Sequence, residues 1–176
     1  MCFARLKGMK VTNCHKRIIN QPKEKVSLLF DTLATSEDLI WPVQNWPAMR
    51  LKQGLKSGSQ GGHGQIRYTV IEFKPRTSIK FEFTKPIEFK GTHELILLEL
   101  SENVSELRHT IKMNTTFIAS LLWLFVIRWL HDALIEEAFD NVENYFQNEE
   151  KNIRYTLWVK ILRAFYKQKS LQLKHV

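Results

Sequence analysis

Residues 106–147 read ELRHTIKMNTTFIASLLWLFVIRWLHDALIEEAFDNVENYFQ, and the spacing of apolar residues changes period within them. Leu107, His109, Ile111 and Met113 alternate with Glu106, Arg108, Thr110 and Lys112, the period of a strand with one buried face. From roughly Thr116 onward Ile127, Leu130, Leu134, Ala138, Val142 and Tyr145 recur on one helical face. That pattern predicts a helix of about 30 residues, some 45 Å long. Its first third is apolar nearly all round, so more than one side of it needs cover. The run Phe117 to Ile127, broken only by Ser120, spans eleven residues. A bilayer needs about 20, so burial or insertion at a surface is expected instead.

Upstream, the chain reads as strands and turns. Val11 to Asn20 is a first strand. Pro22 opens a short helix with Val26, Leu29, Phe30 and Leu33 at helical spacing. Ser36 and Asp38 suggest a second short helix that Pro42 or Pro47 stops. Met49 to Leu55 is a plausible strand, residues 57–64 a glycine-rich loop, and Gln65 to Phe73 another strand. Pro75 marks a turn, after which Ile79, Phe81 and Phe83 alternate with Lys80, Glu82 and Thr84. Phe89 to Leu100 and the alternating segment above are joined by a tight connection at 101–105.

One strand, two short helices, about six meandering strands and one long helix make an α+β chain with an antiparallel sheet. A sheet with a single apolar face needs a cover, and only the long helix has the length. The sheet therefore curls around that helix. This order, together with the loop Gly58-Ser59-Gln60-Gly61-Gly62-His63-Gly64-Gln65-Ile66, resembles the START-like (SRPBCC) superfamily. That group includes the birch-pollen allergen (Bet v 1-like) type and the polyketide cyclase/dehydrase type. The allergen branch has a similar loop between its second and third strands, ending Gly-Gly-x-Gly as here. The resemblance implies a helix-grip fold over 11–148, after a loose segment at 1–10. It also implies a cavity between sheet and helix for lipids, polyketides or other apolar molecules.

Charge is unevenly placed. Of the net +8, Lys151, Arg154, Lys160, Arg163, Lys167, Lys169 and Lys174 contribute seven with no acid among them, leaving +1 for the rest. A neutral body with a basic tail does not suggest nucleic acid. In the tail Ile153, Leu157, Trp158, Ile161, Leu162 and Phe165 form the apolar side of an amphipathic helix within 149–176. Two destinations are open for it. Lys160, Arg163, Lys167 and Lys169 suit an anionic membrane surface, or the tail folds back on the acidic run 131–150. Cys2 and Cys14 show no ligand or disulfide spacing, and the N-terminal stretch has no signal-peptide core. A cytoplasmic protein, at most membrane-peripheral, is expected.

The expected cavity is lined by Trp41, Trp46, Tyr68, Phe81, Phe83, Leu95, His109, Ile111, Leu130 and Leu134. His109 shares the inner face with Leu107, Ile111 and Met113. It could orient a ligand, act as a general acid or base in a cyclase-type reaction, or simply satisfy itself on the backbone. His93 follows the same logic unless a bulge at Gly91 turns it outward. Trp41 and Trp46 beside Pro42 and Pro47 suit a cavity rim or a core cap. The glycine loop lacks the spacing of a phosphate-binding loop. His131 and Asp132 are expected to diverge as neighbours on a helix. No His-x-x-x-His pair occurs, so neither metal nor cofactor is expected. Binding an apolar small molecule is the leading function, ahead of catalysis in the same cavity and of membrane contact.

Overall fold

The computed structural model describes residues 8–147 and 154–172, with 167–172 as backbone only. Strand β1 (Lys10–Ile19) leads into α1 (Lys23–Ser27), which starts directly after Pro22 and runs into a tighter turn at Leu28–Thr32. Then follow β2 (Arg50–Leu51), β3 (Gln60–His63), β4 (Ile66–Lys74), β5 (Ser78–Lys85), β6 (Lys90–Ser101) and β7 (Val104–Asn114). The seven strands form one antiparallel sheet in the order β1-β7-β6-β5-β4-β3-β2. The first strand thus lies beside the last.

A 30-residue helix crosses the sheet's inner face. It comprises α2 (Phe117–Leu122), a wider π-helical turn at Trp123–Ile127, and α3 (Arg128–Phe146). Thr116 caps its start by accepting a bond from the Ala119 N–H. Packing rather than propensity holds it, because the sheet's alternating residues and the helix's inner stripe bury each other. The core falls into two clusters. The larger surrounds Phe30, Phe81, Leu97, Leu107 and Phe139, and the smaller surrounds Val11, Phe89, Ile111, Met113 and Trp123. The last described element, α4 (Leu157–Gln172), packs on α3.

Several local expectations change. No helix forms after Ser36, because Asp38 turns its carboxylate inward. It accepts backbone N–H bonds from Ala34, Ile40 and Trp41 and holds an irregular turn. The strand expected at 49–55 shrinks to Arg50–Leu51. Half of the glycine stretch is strand: Gly61 and Gly62 lie in β3, where a Cβ would fall 2.0 Å from the Arg50 carbonyl oxygen and 2.1 Å from that of Ile66. Met9 and Lys10 belong to the packed body, with Thr115 N–H donating to the Met9 carbonyl. Residues 1–7 and 148–153, including Ile153, lie outside the described residues.

Much of the acidic run is engaged by β1. Arg17 on β1 reaches Asp140 and Glu143 at 2.6 Å and Glu136 at 2.9 Å, while His15 reaches Asp132 and Glu136. A polar seam between β1 and α3 thus uses four of the carboxylates that seemed available.

Candidate functional site

Between the two core clusters lies a cavity of about 460 Å³. Its walls come from the 40–49 segment, β5, β6, β7, the long helix and α4. It reaches the surface beside the exposed Gln44 and Gln65. The lining is mostly apolar, and four imidazoles interrupt it: the buried His93 and His109 and the half-buried His63 and His131.

Strand register sets their positions. Gly91 causes no bulge, since β6 and β7 stay in step from Lys90 to Glu99. A Cβ at Gly91 would lie 2.1 Å from the Lys112 carbonyl oxygen, so glycine is what permits this close pairing. His93 therefore keeps its inward face and lies opposite Phe81 on β5. Its ring stacks on Phe81 at 4.6 Å and on Phe83 at 4.8 Å. His109 lies opposite Leu95 on one side and His15 on the other. His109 Nε2 and His93 Nδ1 are 3.4 Å apart, and the His131 ring centroid is 5.0 Å from that of His109. His63 continues the series on β3, packed on Trp41 at 4.8 Å.

Burial keeps these rings neutral. Desolvation pulls His93 and His109 well below the ordinary histidine value, lowers His131, and takes His63 to about 3. His93 and His109 share one hydrogen, so the pair leaves one nitrogen as a donor and one as an acceptor in either tautomer. Those two atoms, His93 Nε2 and His109 Nδ1, are buried without partners, as is His131 Nε2. Buried polar atoms are seldom left this way, and here two on the sheet and one on the long helix lie around the same cavity.

Of the residues singled out from sequence, Trp41, Trp46, Phe81, Phe83, Leu95, His109, Ile111, Leu130 and Leu134 line the cavity. Tyr68 does not. It is buried behind the wall, with its ring on Phe81 and His93 and its hydroxyl 3.3 Å from His63 Nδ1. His131 and Asp132 do not diverge either: Nδ1 of the one lies 3.4 Å from Oδ1 of the other. His63, His131 and Glu137 are the members that sequence reading missed.

Glu137 ties the α4 side of the cavity together. Only 2% exposed, it accepts from Asn45 and the Trp46 indole at 2.6 Å and from the Tyr155 hydroxyl. Burial, then the bond and charge of Glu137, push that phenol up to about 12. Arg163 of α4 stacks on Trp46 at 4.7 Å and Tyr155 at 4.1 Å and donates to the Asn45 carbonyl. It is a structural clamp rather than a free cation.

No family model and no curated protein matches the chain. Solved structures do. Truncated norcoclaurine synthase from Thalictrum flavum superposes with a TM-score of 0.60 at 6% identity, covering 84% of this chain and 100% of that one. The same enzyme in complex with dopamine and hydroxybenzaldehyde gives 0.58 at 7%, over 82% and 92%. XoxI from Bacillus cereus gives 0.57 at 12%, over 81% and 99%. At such identities the likeness concerns fold, and that fold is the helix grip: a curved antiparallel sheet closed on one long helix.

Proposed function

We propose that this protein binds, in the cavity between sheet and long helix, an apolar small molecule carrying oxygen substituents, either lipid-like or aromatic. The observation that carries this reading is the trio of unpartnered nitrogens on His93, His109 and His131 around a largely apolar cavity. Burying the ligand's apolar surface supplies the drive, at about 25 cal/mol per Å². A carbonyl or hydroxyl meeting the His93–His109 pair sets its orientation. The oxygenated aromatics held by norcoclaurine synthase are of this chemical kind. Native mass spectrometry of protein purified from its own host, followed by extraction of bound material, tests the reading. A recurrent oxygenated apolar passenger supports it. No passenger, and no uptake from a panel of quinones, phenols and fatty acids, sinks it.

A second reading, contact with a membrane surface, is favoured by an apolar surface beside the same cavity. Ile118 is 78% exposed, Leu157 74%, Phe165 67% and Phe125 62%. The Trp158 indole donates to the Phe125 carbonyl, which joins α4 to the long helix there. By length and composition the helix Phe117–Phe146 would cross a bilayer, yet its C-terminal part is the core of this fold. Lying in the interface suits it better. Lys160 is exposed; Arg163 is spent on Trp46 and Tyr155; the side chains of Lys167 and Lys169 lie outside the described residues. The double variant Ile118→Asp/Phe165→Asp is expected to abolish co-flotation with vesicles containing phosphatidylserine. Unchanged flotation would remove this reading and leave the first intact.

A further inference from the structure

We propose that His15, His131 and Asp132 form a binding site for a divalent first-row transition-metal ion, best matched to zinc. The sequence hides this set, because one ligand lies on β1 and two lie on α3. In the fold one ligand atom from each sits within 4.8 Å of the others. His15 Nε2 is 3.0 Å and His131 Nδ1 3.4 Å from the same oxygen, Oδ1 of Asp132. Bonds of about 2.0–2.1 Å in a tetrahedral zinc site put ligand atoms about 3.3 Å apart. The three atoms thus need to move only modestly to close on an ion. Two imidazoles and a carboxylate suit zinc or its neighbours, and not calcium or magnesium.

The surroundings fit as well. The other nitrogen of His15 lies 2.6 Å from Glu136 Oε1, and Glu136 is held in turn by Arg17 at 2.9 Å. A carboxylate behind a ligating histidine is the usual outer support of a metal site, fixing ring orientation and raising basicity. Asn13 places Nδ2 3.0 Å from Asp132 Oδ1 and leaves its own Oδ1 buried without a partner. Turning that amide over exchanges the two atoms and gives an ion a fourth, oxygen ligand. Arg128 lies 3.5 Å from the second Asp132 oxygen, so that oxygen stays with the guanidinium and Asp132 binds through Oδ1 alone.

One consequence reaches the cavity. Beside the Asp132 carboxylate, His131 Nδ1 carries the hydrogen and Nε2 is an acceptor. Metal on Nδ1 moves the hydrogen to Nε2 and makes it a donor. That step rests on the cavity reading; the site itself does not.

The test is titration of chelator-dialysed protein with zinc by calorimetry and with cobalt by visible absorption. We expect saturation at one equivalent and a tetrahedral cobalt spectrum. His15→Gln and Asp132→Asn, each checked for folding by circular dichroism, lose that binding, while Glu136→Gln weakens it about 10- to 100-fold. His63→Gln, on β3, retains it. No saturable binding, or binding that survives both His15→Gln and Asp132→Asn, overturns the proposal. Zinc-edge X-ray absorption on the unaltered protein decides the matter if both variants unfold. Two imidazole ligands support the site, and their absence ends it.

Discussion

Glu137 is a carboxylate in an apolar interior, and three neutral donors surround it: an amide, an indole and a phenol. Removing it strands all three at once. Glu137→Ala should therefore cost about 3 kcal/mol of unfolding free energy, measurable by urea denaturation, and should loosen α4 because Trp46 and Tyr155 lose their anchor. His109 offers a second residue-scale expectation. His109→Leu keeps the apolar wall but deletes a free nitrogen, so affinity for an oxygenated ligand should fall about 10-fold, one hydrogen bond's worth. Affinity for a plain hydrocarbon should hold or rise. Competition against a fluorescent fatty-acid probe separates the two, and equal losses for both ligands would mean that the imidazole serves only as filler.

Between β6 and β7 the strands approach so closely at Gly91 that no side chain fits. Gly91→Ala should destabilise by about 2 kcal/mol, and amide exchange along the Lys90–Asn114 end of the pair should speed up before the Ser101–Val104 end does. At this scale the sequence was legible where a period governed: the alternation at 107–113 and the stripe from Ile127 to Tyr145 name their elements. It was illegible where one side chain overrode the local pattern. Asp38 looks like a helix start, yet by bonding three backbone amides it becomes the centre of a turn. The site shows the same division. Alternation places Phe81, His109 and Ile111 inward, and Tyr68 also faces in but lies behind the wall. No spacing brings His15 to His131, because they meet across 116 residues of chain only after the sheet has closed.

For the molecule as a whole, proton linkage sets the acid limit. His63, His93 and His109 stay neutral in the fold but take up protons near pH 6.5 once unfolded. Their contribution is thus complete above that pH and is lost as pH falls below it, at up to about 1.4 kcal/mol per unit for each ring. Asp132 and Glu136, depressed by their partners in the fold, add to the loss only once pH falls to the ordinary carboxylate range. His131, lowered by burial as well, adds to the three other rings, so denaturation midpoints should drop steeply between pH 6 and 5, with a slope of three protons or more, and His93→Gln should remove one. The cavity carries a different consequence. A ligand that fills the 460 Å³ between the two core clusters holds on to the folded chain alone, so the denaturation midpoint should climb with each increment of ligand added, and a midpoint indifferent to ligand concentration would mean that the cavity takes up nothing.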